Sequence, residues 1–174
     1  LSKNRERIRI NKSPKIFSNN NSRLIKKNLP FKLTNDQEKV LNEINLDLLS
    51  SKRMFRIIQG DVGSGKTIVS ILSILNVIKS GYQCALMSPT EILARQHYTL
   101  IKEIFKKEDF EIEFLTGKTE YKLKKIILTN LTSVKIKLLI GTHALFQKKI
   151  NFHKLGLVVI DEQHKFGVKQ RSDL

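Results

Sequence analysis

Apolar residues recur along this chain in two alternating patterns. Val40, Leu41, Ile44 and Leu48 return at helical spacing. Thr34 precedes them, with Gln37 three residues on, and the pair has the form of a capping box. Ile68, Ile71, Leu72, Leu75 and Ile78 predict a second helix over 66–80, and further helices fit 91–107 and 121–130. Between the helices lie short apolar runs at 55–59, 83–88, 112–115, 137–140 and 157–160, which read as strands. Uninterrupted strands of this kind suit a parallel sheet covered on both faces. Their alternation with helices predicts an α/β fold built from βαβ units. No internal repeat is seen.

The first residues break this pattern. Residues 1–10 read as the tail of a helix, with Leu1, Ile8 and Ile10 among Arg and Lys. Residues 11–28 read as a linker, marked by Pro14 and by the Ser and Asn run at 18–22. The expected organisation is therefore a tail and basic linker over 1–28 and a main domain over 29–174.

Charge sharpens that division. The 174 residues hold 32 Lys and Arg against 16 Asp and Glu, a net charge of +16. Residues 1–33 alone carry ten basic residues and one acid, Glu6. An anionic partner follows, with nucleic acid first. A composition rich in Lys, Ile and Asn gives a similar excess without any partner, so the clustering says more than the total. No run approaches the roughly 18 apolar residues that a membrane span needs, and the first residues hold no apolar leader stretch. The single cysteine, Cys84, excludes an internal disulfide framework and a cysteine-based metal site. These features predict a cytoplasmic protein.

The strongest chemical signal is Gly60, Asp61, Val62, Gly63, Ser64, Gly65, Lys66 and Thr67, which fits G-x-x-x-x-G-K-[ST] at every fixed position. Glycines let the backbone turn its N–H groups onto an anion, and the helix that follows aims its positive end at the same place. Lys66 is then the ligand of the β and γ phosphates, and the Thr67 hydroxyl a ligand of Mg²⁺. An apolar run leads directly into the loop, and an amphipathic helix leaves it, as the motif requires.

The run at 157–160 ends in Asp161 and Glu162. At the C-terminal edge of a parallel sheet, acids stand where ligands bind. Asp161 is the candidate magnesium carboxylate, and Glu162 the candidate general base for an attacking water. A solvated strand end gives the same dipeptide; the loop upstream favours the catalytic reading. His164 follows as a lesser candidate, for coupling beside the γ-phosphate. His97, His143 and His153 show no metal-ligand spacing.

These blocks resemble the first RecA-like motor domain of superfamily 2 helicases. GDVGSGKT at 60–67, SPTEILARQH at 88–97, GTHALFQ at 141–147 and DEQHKFGVKQR at 161–171 are together similar to the RecG family of ATP-dependent DNA helicases. The resemblance runs from about Leu29 to the C-terminus. The related Mfd translocases usually differ at Ser64 and Gln163.

The resemblance implies a RecA-like P-loop domain: a parallel sheet flanked by helices, behind a basic linker. It implies ATP and Mg²⁺ as cofactors, and double-stranded and branched DNA as the partner, without a membrane. Gln37 would read adenine and Phe31 would stack on it, a role compatible with the capping box. Pro89, Thr90 and Arg95, with Thr116, Gly117, Gly141, Thr142 and His143, would grip a DNA strand. Phe166, Gly167, Gln170 and Arg171 match a stretch linked with DNA engagement and motor coupling. Residues 1–10 resemble the end of the helix after the family's wedge domain. The wedge, the next motif strand and the second RecA-like domain with its arginine finger are not in the sequence. In the family's fold that strand lies between the 55–59 and 157–160 strands, so the sequence is expected to be part of a longer protein. The readings are an ATP-driven DNA helicase or translocase, an Mfd-type translocase, or a non-enzymatic nucleotide- or DNA-binding remnant of a decayed gene.

Overall fold

Thr34 starts the first helix. Its hydroxyl accepts the Gln37 N–H at 3.2 Å, and Gln37 Oε1 accepts the Thr34 N–H at 2.9 Å, so the expected capping box is formed. In the computed structural model, which describes residues 32–51, 53–61, 63–147 and 150–162, the described residues fall into two compact units, divided between Gly81 and Tyr82.

The first unit holds α1 (Asn35–Leu49) and α2 (Lys66–Lys79). Leu41, Ile44 and Leu48 form the buried stripe of α1, as the spacing predicts. α2 is buried almost all round, from Ile68 to Ile78, which marks a core helix rather than a surface one. The two helices pack together, and Asn76 Nδ2 donates to Asn45 Oδ1 at 2.8 Å.

The run at 55–59 is a correction. It was expected as a strand, and it forms none: Phe55 and Ile57 are 79% and 76% exposed. A strand exists through its ladder of inter-strand hydrogen bonds, and no strand among the described residues pairs with this one. Its local anchor is electrostatic instead. Arg56 reaches Glu43 and Asp47 of α1, at 2.7 Å each, and the two carboxylates push the guanidinium pKa up.

The second unit is an α/β sheet. Its elements run β1 (Gln83–Met87), α3 (Glu91–Ile104), β2 (Glu111–Leu115), α4 (Tyr121–Thr132), β3 (Ile136–Gly141), a 3₁₀ turn (His143–Phe146) and β4 (Leu155–Ile160). The strand order is β2-β3-β1-β4, and every pairing is parallel. α3 carries the chain from β1 past β3 to β2, and α4 returns it to β3. Crossovers of one hand in opposite directions place these helices on opposite faces. Ile127 and Leu131 of α4 pack with Ala85, Met87, Leu115 and Leu139 on one face. On the other, Tyr98 of α3 lies 5.5 Å from the Phe114 ring of β2.

Buried Gln83 ties the sheet's N-terminal end together. It donates to the Leu131 and Ile136 carbonyls, both at 2.8 Å, and accepts the Lys154 N–H at 3.0 Å. Cys84 beside it is fully buried, and that burial pushes its thiol pKa up. Among the described residues, the two outer strands of the sheet differ. β2 carries Glu111 and Glu113, whereas β4 carries no charge and leaves Leu155 and Val158 partly exposed.

The tail and linker expected over 1–28, together with Phe31, Val62, His164 and the 166–171 stretch, lie outside the described residues.

Candidate functional site

Glycine geometry shapes the loop in the first unit. Gly65 is the N-cap of α2 with φ +78°, and no side chain caps the helix there. A Cβ on Gly65 would collide with Gln37 Nε2. That nitrogen lies close because it donates to the Ser64 carbonyl at 2.9 Å. Gln37 therefore joins the start of α1 to the loop: one end of its amide closes the capping box, and the other holds Ser64.

Lys66 folds back onto the same loop. Its Nζ donates to the Gly60 carbonyl at 2.6 Å and the Asp61 carbonyl at 2.8 Å. Thr67 sits in the first turn of α2, half-buried. Uncapped helix N–H groups, two left-handed glycines (Gly63 at φ +86° and Gly65) and a cation held beside them fit a phosphate chain.

The acids occupy the second unit. The Asp161 N–H donates to the Met87 carbonyl at 2.8 Å, which pins the end of β4 to the end of β1. The Asp161 carboxylate meets His97 of α3, with Nε2 2.7 Å from Oδ2. Glu162 follows at φ +53°, a left-handed conformation uncommon for a residue with a side chain. Strain of this kind concentrates at functional sites. Among the described residues no cluster of three or more His, Cys, Asp or Glu is arranged for a metal. Taken singly, the Thr67 hydroxyl of the first unit and the Asp161 carboxylate of the second are hard oxygen donors, the type that suits magnesium.

Because β1, β2, β3 and β4 are parallel, their C-terminal ends share one edge. Pro89 and Thr90 follow β1, Thr116 and Gly117 follow β2, Gly141 to His143 close β3, and Asp161 and Glu162 follow β4. The row expected from the sequence is thus brought together. Its members differ in what they present. Thr90, Arg95, Gly117 and His143 are exposed, whereas Thr116, Gly141 and Thr142 are buried. The Thr90 hydroxyl caps α3 by accepting the Leu93 N–H at 3.3 Å. Thr116 shapes its turn by accepting the Lys118 N–H at 3.3 Å. A Cβ on Gly141 would overlap the Leu115 carbonyl, so only glycine lets β2 and β3 approach there. Arg95 stacks 4.7 Å over the Phe114 ring and pairs with Glu91, which Lys118 also approaches at 3.6 Å.

Sequence reasoning gave His97 no role. Lys118 went unnoticed too, because a lysine after a Thr-Gly turn has nothing to distinguish it locally.

The sequence signature of DEAD/DEAH box helicases matches residues 34–174. The ATP-dependent DNA helicase RecG of Aquifex aeolicus (strain VF5) is 48% identical over 171 residues, which is 97% of this chain and 21% of that protein. Among solved structures, RecG bound to a three-way DNA junction superposes with a TM-score of 0.86 at 43% identity, covering 95% of this chain and 22% of that one. The DEAD-box helicase Mss116, bound to single-stranded RNA and UDP-BeF, shares the fold with a TM-score of 0.67 at 20% identity, over 87% of this chain and 32% of that one. The chain spans about a fifth of the length of the RecG relatives it matches.

Proposed function

The chain belongs to the DEAD/DEAH box helicase family, and on that premise we propose that it is the ATP-binding motor part of a RecG-type helicase that moves along double-stranded DNA and remodels branched junctions in repair and recombination. The observation that carries this reading is the superposition on RecG solved with a three-way junction, over 95% of the chain. Residues 29–174 are the motor domain, residues 1–28 a tail and linker, and a wedge and a second RecA-like domain complete the longer, cytoplasmic protein. The likenesses do not favour an Mfd-type translocase or a non-enzymatic remnant.

Bound Mg·ATP would supply the phosphoanhydride whose cleavage powers movement. Lys66, whose ammonium lies on the Gly60 and Asp61 carbonyls, and the backbone of 60–67 would hold the phosphates. Thr67 and Asp161 would hold the magnesium ion. Glu162 takes the proton of the attacking water, with His164 nearby in sequence as a coupling residue. Gln37 and Phe31 serve the adenine. Pro89, Thr90, Arg95, Thr116, Gly117, Gly141, Thr142 and His143 serve the DNA backbone, the buried ones through their peptide groups.

The test uses the full-length protein. ATP hydrolysis should be stimulated by three-way junction DNA, and Lys66→Ala should abolish hydrolysis while nucleotide-free junction binding persists. Hydrolysis indifferent to branched DNA, or a Lys66→Ala protein that still turns over, would remove the proposal.

A further inference from the structure

We infer that His97 is a positioning residue for the Asp161 carboxylate, fixing the direction in which that group presents its oxygens to magnesium. The inference rests on the assignment of Asp161 to magnesium made above. Its basis is the 2.7 Å approach of Nε2 to Oδ2. An ionised carboxylate only accepts, so Nε2 carries the hydrogen and donates. The resulting bond is charge-assisted, the stronger kind. It is also sheltered, since the His97 side chain is only 13% exposed and Asp161 33%.

The geometry leaves Asp161 little freedom. Its backbone is fixed by the 2.8 Å bond from its N–H to the Met87 carbonyl. On the side chain, His97 holds one of the two carboxylate oxygens, Oδ2. Magnesium demands near-octahedral geometry at short distance, so a carboxylate that wanders in angle is a poor ligand for it. Groups that orient a metal ligand without touching the metal typically contribute 10–100-fold in metal affinity.

The experiment follows binding rather than turnover. A fluorescent ATP analogue is titrated onto the full-length protein at increasing Mg²⁺, for wild type, His97→Ala, His97→Asn, His97→Gln and Asp161→Asn. The Ala variant should need roughly tenfold more Mg²⁺ for half-saturation, with Mg²⁺-free nucleotide binding unchanged. Gln, whose amide nitrogen can reach the Nε2 position, should restore the wild-type requirement. Asn is too short and should resemble Ala. If Ala fails to fold, the Gln and Asn pair decides. Equal Mg²⁺ requirements for wild type and Ala, or equal impairment of Gln and Asn, overturn the inference. Asp161→Asn separates the two levels: if it leaves the Mg²⁺ requirement unchanged, the magnesium assignment itself has failed. If it shifts the requirement and the His97 variants do not, only the positioning role falls.

Discussion

Gln37 donates from Nε2 to the carbonyl of Ser64 at 2.9 Å while its Oε1 completes the capping box with Thr34. One side chain thus serves helix stability and loop geometry through different atoms. The two tasks can be separated by substitution.

Gln37→Glu keeps an oxygen for the Thr34 N–H and adds a charge that the start of a helix favours. It removes the donor to Ser64 and sets an anion against that carbonyl. Thermal stability should hold, while nucleotide affinity falls about fivefold or more, the worth of roughly 1 kcal/mol for one hydrogen bond. Gln37→Ala should lose both, with roughly 0.3–1.5 kcal/mol of stability. Paired melting curves and nucleotide titrations check this; a Glu variant that binds like wild type would disconnect Ser64 from binding.

Gly65→Ala should be far worse than Gly63→Ala. Both positions have positive φ, so each substitution costs about 1–2 kcal/mol for the left-handed backbone. At Gly65 the new methyl also displaces Gln37, whereas at Gly63 it meets nothing within 4 Å. Nucleotide binding should survive at Gly63 and fail at Gly65, measured in the same titration.

Val134→Gly should stabilise the protein by about 1 kcal/mol. After α4, the Val134 N–H bonds the Leu131 carbonyl and the Lys135 N–H bonds the Asn130 carbonyl, the double closure of a Schellman turn. The left-handed position of that turn is filled by a β-branched residue at φ +64°. A rise in the denaturant midpoint with unchanged slope is the expected result.

Glu162→Gln should retain nucleotide and lose turnover. The amide keeps size and hydrogen bonding but accepts no proton, which typically costs about 10²–10⁴-fold. Single-turnover hydrolysis beside Mg·ATP affinity in the full-length protein decides it. Near wild-type hydrolysis would move the base elsewhere, with His164 next.

Much of this was legible because it is local. The capping box needs only Thr34 and Gln37 at the right spacing, and the loop declares itself by its glycines and Lys66. The helices of the second unit follow from periodicity, with ends shifted by a few residues. What failed was non-local. The 55–59 run has strand composition, but pairing decides whether a strand exists, and composition does not supply the neighbour. Left-handed Val134 was invisible because its conformation comes from the turn's hydrogen bonds, against the residue's own preference. His97 was invisible because its partner lies 64 residues away.

The contrast between the sheet's two edges has a practical side. On β2, Glu111 and Glu113 deter a second strand from adding to the ladder, whereas β4 reads Leu-Gly-Leu-Val-Val-Ile without a charge or a proline. Among the described residues nothing pairs with its outer side. A bare apolar edge is a template for whatever extended chain arrives first. At high concentration β4 is therefore the described strand at which addition from a second chain would start, and a lysine in place of exposed Val158 would be the simplest deterrent.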